Sequence, residues 1–206
     1  MQNAEIKRAI KHLSQHDYTL STIIKNIGII NLTTHRKYFN ALLDAIIGQQ
    51  LSVSAADKIS SRFFDLFDKD PLPEQILEIS DIALRSVGLS NAKVKYVKDL
   101  SRKIISLEIN LSGFSKLSDD EIIQKLTVVK GIGVWTSHMF LIFTLGRLNV
   151  LPYSDLGIRK AIMLNYRLRK LPDEKKIRFI AKKYNWNPYC SIVSRYLWKS
   201  LDNSPL

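Results

Sequence analysis

The sequence predicts an all-α fold, and three features of the chain support this prediction. Apolar residues recur every three or four positions along most of the chain, which is the spacing of one helix face. No stretch alternates apolar and polar residues over the length of a strand. Serine, aspartate, glycine and proline separate the periodic stretches, as they do where helices begin and end. We therefore predict roughly ten helices.

The helices predicted in the first half begin at capping residues and end at glycine or proline. Gly28 and Gly48 follow the second and third apolar stretches, and glycine often ends a helix because it tolerates positive φ. Ser52 or Ser54 can cap the fourth helix, and Ser90 can cap the last one of this half. The predicted helices cover residues 4–13, 20–27, 39–47, 55–67, 74–77, 81–86 and 91–107.

The second half follows a polar connector at 110–116, which is a candidate lobe boundary. Ser118 and Glu121 fit a capping box and start a short helix to Leu126. An almost continuous apolar run at 134–145 predicts a buried helix that stops at Gly146. The remaining helices are predicted to start at Asp155, near Pro172 and at Pro188.

Composition narrows the class of protein. No apolar run approaches the length of a membrane span, and the polar N-terminus lacks the apolar core of a signal peptide. The single cysteine, Cys190, excludes an internal disulfide, a cysteine-rich zinc site and a four-cysteine iron–sulfur cluster. We expect an intracellular protein without a membrane partner, cytoplasmic and at the nucleoid in a prokaryote or nuclear in a eukaryote.

The net charge is strongly positive and unevenly distributed. The chain holds 31 Lys and Arg residues against 19 Asp and Glu residues, a net charge of +12. The part after Asp155 holds 12 basic and 3 acidic residues and so carries +9 of that total. This asymmetry favours a polyanion as partner, with an attraction that weakens as salt rises. A solvated helical face is the alternative interpretation.

The stretch Lys130-Gly131-Ile132-Gly133 stands between the capped helix and the buried helix. Two glycines around one apolar residue allow a tight turn and let a phosphate approach the backbone N–H groups. This composition is typical of a helix-hairpin-helix motif, which would grip DNA phosphates without reading bases. Lys130 adds a positive charge. A turn that only packs two helices together is the alternative.

Asp155 is the only acidic residue between Glu121 and Asp173. It can be an ordinary helix N-cap, and the N–H groups at a cap also stabilise the charged carboxylate. A fixed anion could stabilise a cationic transition state or orient a water molecule. Cleavage of a glycosidic bond needs both, because its transition state resembles an oxocarbenium ion.

The aromatic residues and one polar turn each have two interpretations. Trp135 and Tyr189 lie beside helix starts, where core packing and a base-stacking pocket are equally compatible with the sequence. Trp198 lies on an apolar helix face and is interpreted as a core residue. The Gln49-Gln50-Leu51 turn is interpreted, by itself, as an ordinary connector between helices.

The chain resembles the DNA-3-methyladenine glycosylase II (AlkA-like) branch of the helix-hairpin-helix DNA glycosylase superfamily. Five stretches match in order, at residues 45–52, 84–93, 126–133, 151–160 and 186–198. The resemblance implies a two-lobe helical fold with a cleft between the lobes, where a damaged nucleotide is rotated out of the duplex and its base released in base-excision repair. It implies one glycosylase core over 1–206, with lobes at about 36–115 and at 1–35 plus 116–206. The extra N-terminal β-rich domain of some members is not expected.

The resemblance also implies roles for individual residues. Asp155 falls on the catalytic aspartate, and Trp135 and Tyr189 fall beside the extruded base. Gln50 falls on the wedge that fills the space left in the duplex. Phosphate-gripping positions fall on Gly131, Gly133 and Thr136, and the carbonyls of Thr127, Val129 and Ile132 fall on those that hold a structural Na⁺ or K⁺.

One position separates the reaction types of the superfamily. Members with lyase activity carry a lysine two residues after the second hairpin glycine, where this chain has Trp135. Tryptophan cannot form a Schiff base, so the resemblance implies a monofunctional hydrolase that needs no cofactor for catalysis and has no iron–sulfur cluster. Cys190 replaces a frequent arginine, which bears on substrate preference.

We expect a monomer that acts on damaged double-stranded DNA and excises alkylated purines, chiefly 3-methyladenine, with 7-methylguanine as a further candidate. The alternatives are a glycosylase for deaminated or etheno bases and a non-catalytic helix-hairpin-helix module. A glycosylase with lyase activity is a third possibility, against which Trp135 argues.

Overall fold

The computed structural model describes residues 2–30, 34 and 37–202. Within this part of the chain the regular elements are all helical and no strand is present, which confirms the all-α prediction. None of the described helices is both long and apolar enough to cross a membrane. The α-helices are α1 (Gln2–His16), α2 (Tyr18–Ile27), α3 (Tyr38–Gly48), α4 (Val53–Phe64), α5 (Pro73–Glu78), α6 (Asp81–Ser86), α7 (Asn91–Ile105), α8 (Asp119–Thr127), α9 (Val134–Met139), α10 (Leu156–Asn165), α11 (Glu174–Lys183) and α12 (Cys190–Asp202).

Two segments differ from the sequence prediction. The polar connector at 110–116 contains a 3-10 helix at Leu111–Lys116. The apolar run at 134–145 is not one α-helix, because α9 gives way to a π-helical turn at Phe140–Thr144. The end at Gly146 is as predicted: its φ is +68°, and the Arg147 N–H donates to Leu141 O at 2.9 Å.

The predicted capping residues form the predicted bonds. The Ser118 hydroxyl accepts the Glu121 N–H at 3.3 Å, and the Glu121 carboxylate accepts the Ser118 N–H at 2.8 Å, which completes the capping box. Ser52, rather than Ser54, caps α4 by accepting the Ala55 N–H at 3.4 Å. Ser90 caps α7 in the same way, at 3.3 Å from the Lys93 N–H. These caps fix the points at which α4, α7 and α8 begin.

The chain divides into two compact units. The terminal unit comprises Met1–Thr34 and Leu141–Leu206, and the central unit comprises His35–Phe140. Residues 116–140, which the sequence interpretation gave to the other lobe, therefore belong to the central unit. The physical reason is packing after the connector: the rings of Phe114 and Phe140 lie 6.0 Å apart, and α8 and α9 pack against each other.

The central unit has its core along α3 and α7. The apolar stripe predicted in α3 is buried, and α7 contributes a second buried stripe. Burying each such side chain contributes about 1.5 to 3 kcal/mol. The fully or almost fully buried residues of this unit include Leu42, Leu43, Ile46, Ile47, Phe63, Ile76, Val94, Val97 and Leu100.

The terminal unit is organised around a buried carboxylate. Asp17 is only 1% exposed, and it caps α2 by accepting the Leu20 N–H at 3.0 Å. It also accepts the Tyr166 hydroxyl at 2.5 Å and the Trp186 indole N–H at 2.8 Å. Burial and the Asp17 charge raise the pKa of Tyr166, which therefore stays a donor. These bonds join α2 to α10 and to the loop before α12.

Candidate functional site

The hairpin between α8 and α9 contains two glycines with different requirements. Gly131 has a φ of +84°, and a Cβ there would lie 2.2 Å from the ring of Tyr96, so both conformation and packing demand glycine. Gly133 has a φ of −104°, which other residues adopt freely. No atom lies within 4 Å of the position its Cβ would take. The backbone at Gly133 is therefore open to an approaching molecule.

The hairpin backbone is held by side chains of the same unit. The Asp99 carboxylate accepts the Lys130 N–H at 2.9 Å, and the Gln49 amide donates to Gly131 O at 2.7 Å. The Ile132 N–H donates to Val129 O at 3.0 Å and closes the turn. Because its N–H is already bonded, Lys130 can offer a ligand its exposed ammonium group but not its backbone.

The start of α9 presents one aromatic side chain. The first intrahelical bond runs from the Ser137 N–H to Gly133 O at 3.0 Å, and the preceding N–H groups lie at the partly positive end of the helix. Trp135 is 45% exposed, which leaves much of its indole accessible for stacking. Thr136 is only 4% exposed as a whole residue, so its phosphate contact stays a prediction.

The turn after α3 holds a residue other than glycine in the left-handed conformation. Gln49 has φ −55° and ψ 132°, Gln50 has φ +58°, and the Leu51 N–H donates to Gly48 O at 3.3 Å. This is the geometry of a type II turn, in which the position of Gln50 normally favours glycine. The predicted helix stop, Gly48, is the last residue of α3, while the exposed Gln50 has the left-handed conformation.

Asp155 caps α10, as predicted, and has a second partner that the sequence interpretation missed. Its Oδ1 accepts the Ile158 N–H at 2.8 Å and the Trp198 indole N–H at 2.9 Å. Trp198, interpreted as a core residue, is thus a direct contact of the carboxylate. A Cβ at Gly157 would lie 3.0 Å from both Asp155 Oδ1 and Trp198 Cδ1. Gly157, in the first turn of α10, is the sequence feature that could have indicated a close approach of another side chain to Asp155.

The Trp198 ring continues into an aromatic and cationic cluster. Phe143 stacks on Trp198 with ring centroids 5.6 Å apart and is 38% exposed. The Arg195 guanidinium lies 4.5 Å over the Phe143 ring and donates to Ile142 O at 3.3 Å. Burial lowers the pKa of Arg195, although a guanidinium stays charged at neutral pH. Sequence reasoning did not identify Phe143 or Arg195.

Tyr189 contacts α1. Its hydroxyl donates to the Glu5 carboxylate at 3.2 Å, and its ring meets the edge of the His12 ring at 5.4 Å. Burial and the Glu5 charge raise the pKa of Tyr189. Tyr189 is thus held by α1, while Trp198 is an aromatic residue that contacts Asp155.

Within the described residues, no group of three or more His, Cys, Asp and Glu side chains could hold a metal ion. The predicted Na⁺ or K⁺ site uses backbone carbonyls instead. Val129 O already accepts one N–H, and a carbonyl oxygen has two lone pairs, so it is chemically suited to a second partner. The cation site at Thr127, Val129 and Ile132 remains a prediction.

The central unit therefore carries a glycine hairpin with an open backbone and an accessible tryptophan beside it. The terminal unit carries a carboxylate fixed by a backbone N–H and an indole N–H. Such a hairpin suits DNA phosphates, and such a carboxylate suits bond cleavage at a sugar carbon. Together these features define a protein of the helix-hairpin-helix DNA-binding class.

Comparison with known proteins identifies the family within that class. Residues 43–186 match the family described as HhH-GPD superfamily base excision DNA repair protein. The chain belongs to this superfamily. Membership confirms the superfamily expected from the sequence, while the AlkA-like branch remains a prediction.

One similar protein sequence and two similar solved structures extend the comparison. DNA-3-methyladenine glycosylase 1 of Schizosaccharomyces pombe is 32% identical over 201 residues, which cover 95% of this chain and 87% of the relative. The solved structure of the 3-methyladenine DNA glycosylase Mag1 in complex with abasic DNA matches with a TM-score of 0.86 at 32% identity, covering 96% of this chain and 98% of that one. A DNA-3-methyladenine glycosidase from Bacillus halodurans matches with a TM-score of 0.84 at 32% identity, covering 95% and 89%.

Proposed function

We propose that the protein is a monofunctional DNA glycosylase that hydrolyses the N-glycosidic bond of alkylated purines in duplex DNA, as a step of base-excision repair. The observation that carries this proposal is the Asp155 carboxylate, fixed by two hydrogen bonds in a chain of the HhH-GPD superfamily. The names of the similar proteins support 3-methyladenine as the chief substrate. 7-Methylguanine is a second substrate of the same chemistry.

Hydrolysis of the N-glycosidic bond of an alkylated purine requires little more from the enzyme than a correctly positioned anion. Alkylation of a purine ring nitrogen makes the base cationic and a better leaving group. When the bond from C1′ to the base breaks, the bonding electrons leave with the base and the sugar becomes oxocarbenium-like. Asp155 stabilises this charge, orients the water that attacks C1′ and accepts the proton that the water loses as the C1′–OH bond forms. The products are the free base and an abasic site.

The proposal that the enzyme does not cut the DNA strand depends on Trp135. An indole has no amine to attack C1′, so no Schiff base forms and the DNA backbone stays intact. The exposed indole can also stack on the extruded base, and a cationic alkylated base gains cation–π attraction over an electron-rich ring. Tyr189 is the second proposed aromatic residue, although its contacts with α1 support a structural role as well.

The proposed DNA contacts lie in the central unit. The open backbone at Gly133 supports a phosphate contact, and Gly131, Thr136 and the Lys130 ammonium are the further proposed contacts. Gln50 is the proposed wedge. A Na⁺ or K⁺ ion at the carbonyls of Thr127, Val129 and Ile132 would be structural, and the enzyme would act as a monomer without a catalytic cofactor.

The test uses duplex DNA methylated with a radiolabelled agent. We expect chromatography to find free 3-methyladenine, strand breaks to appear only after alkali, and borohydride to trap no covalent adduct. A protein that shifts the duplex but releases no base would be a binding module. A borohydride-trapped adduct would instead show lyase activity. Release of hypoxanthine or ethenoadenine alone would show that the substrates are deaminated or etheno bases and not alkylated purines.

A further inference from the structure

One face of α7 touches both DNA-contact elements that we propose for the central unit. Lys93, Tyr96 and Asp99 are spaced three residues apart, so they follow one side of the helix. Lys93 contacts the Gly48–Leu51 turn, called the wedge turn below. Tyr96 and Asp99 contact the hairpin at 128–133. A single rigid helix thus supports both elements.

Lys93 is anchored at the C-terminal end of α3. Its ammonium donates to Ile47 O at 2.7 Å and to Gln49 O at 2.9 Å. A cation at a helix C-terminus is stabilised by the helix dipole, and here it satisfies carbonyls that the helix leaves without partners. Partial burial lowers the pKa of Lys93.

The wedge turn is also bonded directly to the hairpin. The Gln49 side-chain amide donates to Gly131 O at 2.7 Å, across 82 residues of sequence. The next residue, Gln50, has a φ of +58°. A residue other than glycine persists in that conformation only where its surroundings hold it. Lys93 and Gln49 provide such support for the peptide that precedes Gln50. Lys93 holds the carbonyl oxygen of Gln49, and the Gln49 side chain is bonded to the hairpin.

The hairpin receives matching support from the same helix. Asp99 is only 9% exposed and accepts the Lys130 N–H, while Tyr96 lies beneath Gly131 and leaves no space for a Cβ. The direct bond from Gln49 and the shared helix fix the distance between the two elements in two independent ways. Neither can shift without breaking bonds to the other or to α7.

We propose that this α7 face and Gln49 set the position of Gln50 relative to the phosphate-gripping hairpin, so that Lys93, Gln49 and Asp99 are positioning residues for wedge insertion. The inference rests on the proposed function, because it assumes that Gln50 enters DNA held by the hairpin. Both elements act on one duplex, so their spacing must match DNA geometry before binding. Misplacing a reacting or positioning group by about 1 Å can cost about 100-fold in rate.

The experiment compares Lys93→Met and Gln49→Met with wild type. Methionine is apolar and close in size to both side chains, but it cannot donate a hydrogen bond to the carbonyl oxygens that Lys93 and Gln49 contact. Lys95→Met is the matched control, since Lys95 is exposed on another face of α7. The readouts are single-turnover base release, affinity for undamaged duplex, and fluorescence of a 2-aminopurine placed opposite an abasic-site analogue, which reports local unstacking by the wedge.

We expect both variants to release base about 10- to 100-fold more slowly and to lose much of the 2-aminopurine signal, with Lys95→Met unchanged. Affinity for undamaged duplex should change by less than about threefold, because the hairpin keeps its phosphate contacts. Combining Lys93→Met with Gln50→Ala should add nothing to Gln50→Ala alone, since coupled residues are non-additive. A general folding defect would instead give additive losses and would also lower the affinity for undamaged duplex.

Two outcomes separate failure of this inference from failure of the proposed function. If wild type releases base and both variants match Lys95→Met, the positioning role is overturned and the glycosylase assignment stands. Additive losses in the double variant would overturn it as well. If wild type releases no base from methylated duplex, the proposed function fails and this inference fails with it.

Discussion

Replacing Trp198 with phenylalanine would remove the indole N–H that Asp155 Oδ1 accepts at 2.9 Å, while leaving an aromatic ring on α12 to pack against Phe143. Asp155 would keep its bond from the Ile158 N–H but lose the donor that fixes it from outside its own helix. The variant therefore tests whether the orientation of the carboxylate matters for base release.

The magnitude follows from the type of bond. A hydrogen bond to a charged group contributes about 1.5 to 3 kcal/mol. Each 1.36 kcal/mol of barrier is tenfold in rate, so we expect single-turnover release to fall by about 10- to 150-fold. The lower end applies if the contacts that remain, among them the Ile158 N–H, keep the carboxylate in its orientation. Because Trp198 is only partly buried, the loss of folding stability should be about 1 kcal/mol.

The assay is base release with enzyme in excess over a duplex that carries one alkylated purine, together with affinity for an abasic-analogue duplex. Affinity should stay within about threefold of wild type, which would place the loss in the chemical step. Tyr18→Phe is the control, since it alters an aromatic residue that is 86% exposed. Release within about twofold of wild type would refute the positioning role of Trp198.

Three further predictions concern other contacts. Gly157→Ala should lower base release at least about tenfold, because its Cβ would lie 3.0 Å from Asp155 Oδ1 and Trp198 Cδ1. Alanine suits a helix, so the fold should lose no more than about 1 kcal/mol of stability, and normal base release would contradict this prediction. Gly133→Ser should keep the melting temperature of wild type, since serine is a good N-cap, yet weaken duplex binding about tenfold. Gly131→Ala should lower the melting temperature, because its Cβ would clash with Tyr96, and equal melting temperatures for the two variants would contradict this reasoning. Asp17→Asn should lower the free energy of unfolding by about 2 to 4 kcal/mol in urea titrations, because the Leu20 N–H, the Tyr166 hydroxyl and the Trp186 indole lose a charged acceptor. A loss below about 1 kcal/mol would show that these hydrogen bonds contribute little to stability.

Features that depend on local interactions were predictable from the sequence. The capping box at Ser118 and the caps at Ser90 and Asp155 each involve residues three positions apart, so composition alone indicates them. The apolar spacing of α3 likewise identified its buried face. Local physics therefore sufficed for the all-α class and for most of the helix starts.

Contacts between distant residues were not predictable in the same way. Trp198 is 43 residues from Asp155, and an apolar neighbourhood in α12 gave it the appearance of a core residue. Gln49 is 82 residues from Gly131, so its bond to the hairpin could not be inferred from its own turn. The same limit explains the misplaced second lobe boundary, since packing after the 3-10 helix keeps 116–140 in the central unit.

The most direct test of the proposed chemistry is single-turnover base release by Asp155→Asn. Asparagine caps helices about as well as aspartate, so α10 and the fold should persist. The variant should bind an abasic-analogue duplex within about threefold of wild type but release alkylated base at least about 100-fold more slowly, because the charge that stabilises the oxocarbenium-like state is gone. Release at the wild-type rate would show that Asp155 is a helix cap and that another group performs the reaction.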